Sequence, residues 1–227
     1  RRRSRPLPSL MKTLLILRHA KSDWDVDFGD DHARPLATRG QKGARKMGRF
    51  LTTARVVPDR ALTSSAVRAR ETLATAAEAG GWTGPARVTD ALYEASPEAV
   101  LREIQAEDDD ADTLIVVGHQ PTWSALVSLL IGGGRIEMKT ATVARISLEV
   151  ERWEDVAPGR GVLSGLLSPS DLRPNAYRKL KKTIDKAIEA RQKAVAQAEK
   201  AAAPKAKPLR PASLPRGGVD ATEQPEA

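Results

Sequence analysis

The sequence predicts an α/β fold, a three-layer α/β/α sandwich around a mostly parallel sheet, followed by a basic tail of different composition. Three observations predict it. Residues 13–17 and 113–117 are short, continuous apolar runs, which is what strands covered on both faces require. Helical stretches alternate with the strand candidates, so the strands must be joined by crossovers and lie parallel. From Ser168 the alternation stops and Ala, Lys and Pro take over.

Residues 13–17 are the first strand. Residues 38 to about 54 read as a helix with Thr38 as N-cap, because its hydroxyl can take an orphan N–H of the first turn. Residues 61–63, after Pro58-Asp59, read as a second short strand. Residues 66–79 are helical in composition and stop at Gly80-Gly81, a C-cap signal. Residues 87–89 give a third strand. Ser96-Pro97-Glu98 opens the next helix, with Ser as cap, Pro at the first helical position and an acid against the helix dipole. That helix fades into the acidic turn 107–112. The strand 113–117 is broken by Gly118, and residues 121–131 form an apolar helix ended by the glycines 132–134. Residues 143–150 alternate, and with 162–167 they suggest late, edge-like strands.

The chain has 227 residues, enough for one domain with extensions or two small ones, and 41% apolar residues support a packed core. Cysteine is absent, which excludes disulfides and thiolate zinc sites and fits a reducing, cytoplasmic setting. No apolar stretch approaches the roughly 20 residues of a membrane-spanning helix. The first ten residues, RRRSRPLPSL, lead into no secretory signal, and Met11 is a candidate translation start.

The net charge of +8 sits at the ends. Residues 1–10 hold four Arg and no acid, residues 168–227 hold 13 basic and 7 acidic residues, and residues 11–167 hold 20 basic and 22 acidic ones. The body is therefore not a basic nucleic-acid surface. Three parts are expected: a disordered basic segment 1–10, a body 11–167, and a tail 168–227. In the tail, Leu180, Ile184, Ile188 and Val195 mark a thin apolar stripe of a helix over about 175–203, and the Pro-rich remainder reads as disordered. The tail reads first as a solvated charged helix. Contact with an acidic partner or nucleic acid is the minority reading.

The chain has three histidines, His19, His32 and His119. Two directly follow buried-strand candidates, at the strand ends where open α/β sheets bind ligands. Phosphoryl chemistry needs positive charge on the phosphoryl oxygens, in-line positioning and a nucleophile. Arginine supplies a permanent, forked charge, and a neutral imidazole supplies a nucleophile without a separate base. Arg18-His19 offers both on one turn. Arg68 after the second strand offers a second fork, and His119 a donor. His32, in a polar loop after Asp30-Asp31, reads as an idle surface residue. Trp24 is read either as a pocket wall or as packing. No pair of metal-ligating residues is closely spaced on one element, so no metal and no cofactor are expected.

The same residues carry a resemblance. Leu17-Arg18-His19-Ala20-Lys21-Ser22-Asp23-Trp24-Asp25 resembles the Arg-His-Gly signature of the histidine phosphatase superfamily, the phosphoglycerate mutase-like family. Leu36-Ala37-Thr38-Arg39-Gly40 resembles its Leu-Thr-x-x-Gly block. The run Thr63-Ser64-Ser65-Ala66-Val67-Arg68-Ala69-Arg70-Glu71-Thr72 resembles Thr-Ser-x-x-x-Arg-Ala-x-x-Thr, and Val117-Gly118-His119 its Gly-His. Four blocks in order over roughly residues 13–150 make a specific match, and the Arg-His-Ala-Lys-Ser variant looks most like the SixA-type phosphohistidine phosphatase branch. The resemblance implies a phosphoglycerate mutase-like fold. It implies His19 as the nucleophile that becomes phosphohistidine, and Arg18, Arg68 and His119 as groups that bind the phosphate and stabilise its transition state. Ser22 and Asp25 fall where the family contacts phosphate or substrate. Glu94, in Leu92-Tyr93-Glu94, matches the proton donor of mutase-like members.

Three positions depart from the pattern. Ala20 replaces Gly, Asp25 replaces Asn and brings a negative charge towards an anion, and Glu94 runs into Ala95-Ser96-Pro97 instead of Gly-x-x-Glu-Gly. The implied activity is hydrolysis of a phosphoryl group through phospho-His19, on a phosphohistidine protein or a small phosphomonoester. The competing reading is a phosphate-reading scaffold that uses the basic tail.

Overall fold

The computed structural model describes residues 11–172 and the isolated positions 182, 183, 186 and 193, which are helical. Packing divides the chain into units 1–184 and 185–227, and the fold and site lie in the first. The segment 1–10 and nearly all of the expected tail helix over about 175–203 fall outside the described residues. Among the described residues, no helix is long and apolar enough to cross a membrane.

The body contains six strands and four α-helices. In chain order they are β1 (Lys12–Arg18), α1 (Thr38–Thr53), β2 (Arg60–Ser64), α2 (Val67–Gly80), β3 (Ala86–Thr89), α3 (Pro97–Gln105), β4 (Thr113–Gly118), α4 (Thr122–Leu130), β5 (Val143–Leu148) and β6 (Gly161–Leu167). The sheet order is β3-β2-β4-β1-β5-β6. The first four strands are mutually parallel, β5 runs antiparallel to β1, and β6 antiparallel to β5.

The continuous apolar runs are explained by a two-sided core. Leu14 and Ile16 of β1 join Leu114 and Val116 of β4 in a cluster with Val100, Leu101 and Ile104 of α3 and Leu126 and Leu130 of α4. Leu15 and Leu17 point the other way. With Ile115 and Val117 they pack on Met47, Phe50 and Leu51 of α1 and on Ala69 and Leu73 of α2. Alternate residues of one strand thus feed opposite layers, so a strand in this position needs apolar side chains throughout. The second cluster takes in Leu172, so packing of the body continues past β6.

Two local expectations change. Thr38 is not the cap of α1. It is the first helical residue, and the cap position is Ala37, whose side chain caps nothing. Ala37 is held extended because its N–H donates to the Lys21 carbonyl at 3.0 Å. The late strands are not both at an edge: β6 is the edge strand, whereas β5 lies between β1 and β6. The other helix signals read as written, with Ser96 Oγ accepting from the Ala99 N–H to cap α3 and Gly81 ending α2 in a left-handed conformation, φ 68°.

This topology places the carboxyl ends of β2, β4 and β1 side by side. Arg18 stands opposite Gly118 in the parallel register, and the His19 N–H donates to the Gly118 carbonyl at 2.9 Å. The residues that follow these three strands therefore share one edge of the sheet.

Candidate active site

The turn after β1 is fixed by the backbone before any ligand is considered. Besides the bond from His19 N to Gly118, the His19 carbonyl accepts from Ala141 N at 3.1 Å, and the Ala20 N–H donates to Thr72 Oγ1 at 2.9 Å. Thr72 Oγ1 in turn donates to the Arg68 carbonyl at 2.6 Å. One buried hydroxyl on α2 thus ties the His19 turn to the helix turn that carries Arg68. Gly40 lies against the same loop. A Cβ there would overlap the Lys21 carbonyl, so the start of α1 can approach only as glycine. Gly118 is constrained likewise, because a Cβ would enter the Trp123 ring.

His19 Nδ1 lies 2.7 Å from the Ala20 carbonyl oxygen. A carbonyl only accepts, so Nδ1 carries the proton and Nε2 keeps its lone pair. Burial holds the His19 pKa down to about 4; Arg68, Arg18 and Arg34 push the same way, against the bond to Ala20. At neutral pH the ring is neutral, and Nε2 can attack an electrophile without a base to deprotonate it.

The His119 ring stands 5.2 Å from that of His19. Its Nε2 is 2.9 Å from Ser64 Oγ, at the end of β2. Ser64 Oγ also accepts from Ala66 N at 3.3 Å, and its own proton is available for His119 Nε2, the arrangement in which His119 Nδ1 is the protonated nitrogen. Burial, followed by the charges of His19 and Arg68, lowers the His119 pKa to about 3.

Arg18 donates to the Met138 carbonyl at 2.8 Å. Arg68 donates to the Asp31 carbonyl at 2.6 Å and pairs with the Asp31 carboxylate at 2.9 Å. Among the described residues the buried side-chain nitrogens without a hydrogen-bond partner are Arg18 Nε, Arg68 Nε and His119 Nδ1. Buried donors are rarely left unpaired, and here all three belong to one site. Their chemistry suits an anion with several acceptor oxygens.

The structure brings Arg18, His19, Arg68 and His119 together. Ser22 is buried at the same edge and accepts from Arg34 Nη1. Asp25 is not among them: it is exposed, and its backbone N–H donates to Asp23 Oδ1. Glu94 is also exposed and forms no hydrogen bond or ion pair among the described residues. Its backbone is left-handed, φ 53°, which a non-glycine residue holds only when its surroundings impose it. Trp24 is 62% exposed rather than packed in the core, and the Arg34 guanidinium lies 3.7 Å from its ring centroid.

Arg34, Asp31 and Tyr93 escape the sequence reading. Arg34 is buried, bonds Asp31 Oδ1 at 3.0 and 2.7 Å, and adds its charge to the field at His19. Asp31 thus bridges Arg34 and Arg68, and its other oxygen accepts from Tyr93 Oη at 3.3 Å. Burial would raise the Asp31 pKa, but Arg34 and Arg68 overcome it and hold the carboxyl below its ordinary value. His32 is not idle. It is half-buried, its Nε2 lies 2.8 Å from Ser65 Oγ, and its ring meets Tyr93 edge-on at 4.8 Å. Tyr93 also meets His119 edge-on at 5.7 Å. Asp31, His32 and Arg34 sit in the stretch before Leu36 and Tyr93 follows the short turn Asp90–Leu92, segments where no periodicity marks a side chain as inward. Among the described residues no cluster of three or more His, Asp or Glu is arranged to hold a metal ion.

Residues 14–97 match the histidine phosphatase superfamily, branch 1. An uncharacterized protein of Mycobacterium tuberculosis is 41% identical over 67% of this chain and 99% of its own length. Phosphohistidine phosphatase SixA of Escherichia coli is 28% identical over 70% of this chain and 96% of its own. The structure of the protein histidine phosphatase SixA complexed with tungstate superposes with a TM-score of 0.62 at 27% identity, covering 71% of this chain and 99% of that one. The chain belongs to the histidine phosphatase superfamily, with the phosphoglycerate mutase-like fold, and it is a phosphatase whose near structural neighbours include the SixA phosphohistidine phosphatases.

Proposed function

We propose that this chain is a protein phosphohistidine phosphatase that works through a phosphorylated His19. The observation that carries the reading is the state of His19: Nδ1–H is bound to the Ala20 carbonyl, leaving a neutral ring with its Nε2 lone pair free beside Arg18, Arg68 and His119. Nε2 attacks phosphorus, the bond from phosphorus to the substrate nitrogen breaks, and the electron pair leaves with the substrate imidazole. Arg18, Arg68 and His119 hold the phosphoryl oxygens as charge shifts among them, and Arg34 adds its charge to the field from its place on Asp31 and Ser22. Water then attacks the phosphoryl group, the bond to Nε2 breaks, and phosphate departs with the protons of that water while His19 returns to its neutral form.

The substrate class follows from the acid. An alkoxide leaving group needs a proton from the enzyme, whereas a phosphohistidine protonated on its other ring nitrogen departs as neutral imidazole. Glu94, the residue matched to the proton donor, is exposed and has no partner that would orient it towards His19. That favours the leaving group needing least help. The likeness to phosphohistidine phosphatase SixA of Escherichia coli supports the same choice.

The test is a side-by-side assay on a phosphohistidine-bearing protein and a panel of small phosphomonoesters, with wild type, Glu94→Gln and His19→Ala. The expected result is high turnover of the phosphoprotein that Glu94→Gln barely changes and His19→Ala abolishes. Preferred turnover of a monoester, reduced at least tenfold in Glu94→Gln, would replace this reading with a phosphomonoesterase that has Glu94 as its acid.

A further inference from the structure

A second cationic site adjoins the catalytic turn. A cavity of about 380 Å³ opens between the start of α1, the loop after β1, the loop before β5 and the turn after β6. Five cations line it: Lys21, Arg39, Lys42, Lys46 and Lys139. No acidic side chain lines it. Ala141, whose N–H bonds the His19 carbonyl, and Ala20, whose carbonyl meets His19 Nδ1, form part of its wall. The catalytic arginines and histidines do not.

Chance placement of solvated lysines accounts poorly for this. Residues 11–167 hold more acids than bases, 22 against 20, yet five of those bases converge on one cavity. Elsewhere on the body Arg60, Arg87 and Arg152 are ion-paired, and exposed arginines without an ion pair, such as Arg55, Arg70 and Arg160, come from separate stretches of the chain and line no common cavity with these five. Lys21, Arg39, Lys42 and Lys139 form no ion pair among the described residues, and Lys46 donates to the Pro169 carbonyl at 2.6 Å. Convergent like charges repel one another, and a bound anion relieves that repulsion.

We propose that this cavity is a second anion site, distinct from the phosphoryl site at His19, and that it takes a compact small molecule bearing two or more phosphate or carboxylate groups. The volume lies within the range of small-ligand pockets, roughly 300–1,000 Å³. A concave site of this size fits a diphosphate better than a flat protein or nucleic-acid surface does. The cations come from three segments of the chain, which suits two linked anionic groups better than one phosphate. Gly40 and Gly43 keep the α1 wall free of side-chain bulk between Arg39, Lys42 and Lys46.

Isothermal titration of the full chain with inorganic pyrophosphate, in saturating tungstate to fill the catalytic anion site, tests the proposal. One pyrophosphate per chain is expected to bind, with an affinity that falls steeply as salt rises. Lys42→Gln with Lys139→Gln is expected to weaken binding at least tenfold. Arg45→Gln with Arg49→Gln removes the same charge from α1 positions outside the cavity and is expected to stay within about twofold. Thermal melts of both pairs establish that they are folded. No binding in the presence of tungstate, or equal losses in the two pairs, overturns the proposal. The contrast between the pairs stands whether or not His19 proves to be the nucleophile, so the two readings fail separately.

Discussion

Thr72→Val isolates one hydroxyl that joins the two halves of the site. Thr72 is fully buried, its Oγ1 accepts from Ala20 N at 2.9 Å and donates to the Arg68 carbonyl at 2.6 Å, and valine has nearly the same shape. The substitution leaves the Ala20 N–H buried without a partner, which costs about 1–3 kcal/mol. For a body of this size each kcal/mol lowers Tm by roughly 2–4 °C. The kinetic effect follows from position. Ala20 is next to His19 in the chain, so the freed turn shifts Nε2 relative to the Arg68 guanidinium. Losses of alignment of this kind cost on the order of 10- to 100-fold. Thr72 is not placed to touch substrate, so the loss should fall in kcat and leave KM within about threefold. Thr72→Ser restores the hydroxyl and should recover most of kcat, though not all of the packing. Steady-state kinetics and thermal melts of the three proteins decide. A Thr72→Val protein with wild-type kcat would refute the positioning argument, even if its Tm fell.

Two further expectations concern stability. His19 and His119 titrate near 4 and 3 in the folded chain, against about 6.5 when unfolded, because both are buried. Between those values the unfolded chain binds more protons, so stability must fall as pH drops from about 6.5 towards 4, by on the order of 3 kcal/mol for His19 alone. Urea midpoints across that range measure it, and a His19→Asn, His119→Asn double variant should flatten the dependence; an unchanged slope would reject the assignment. Gly40→Ala, which in an ordinary helix would be stabilising by about 1 kcal/mol, should instead destabilise by about 1–3 kcal/mol and impair turnover, because its methyl group meets the Lys21 carbonyl. A Gly40→Ala chain as stable as wild type would show that the loop yields without cost.

The legible part of the site was the part written into backbone constraints. Gly40 and Gly118 stand where a Cβ would strike Lys21 or Trp123, so these positions admit little else and their blocks read cleanly. The strands were legible because two-sided burial demands uninterrupted apolar runs. Arg34, Asp31 and Tyr93 were not legible, because they reach the site from irregular chain where spacing carries no orientation. Their contacts join segments far apart in sequence, Asp31 to Arg68 and to Tyr93. The place of β5 was hidden for a similar reason. Its alternating pattern suits an edge, and only pairing with β6 makes it interior. Thr38 was misread because a cap is decided by the preceding backbone. Here the Lys21 carbonyl holds Ala37 in the cap conformation one residue earlier.

The electrostatic design of the site balances two demands. A phosphoryl group needs concentrated positive charge, but three arginines around a buried imidazole repel one another and depress its proton affinity. Asp31 offsets part of this by holding Arg34 and Arg68 on one partly exposed carboxylate, which fixes both forks from outside the buried pocket. Arg18 Nε, Arg68 Nε and His119 Nδ1 remain unpaired, and together they cost stability that a purely structural cluster would not retain. Low proton affinity is an advantage for His19: at neutral pH its lone pair is available, and the neighbouring guanidiniums strengthen that state rather than opposing it. In the mechanism proposed for His19, nearby positive charge therefore serves twice, once to hold the phosphoryl oxygens and once to keep the nucleophile unprotonated.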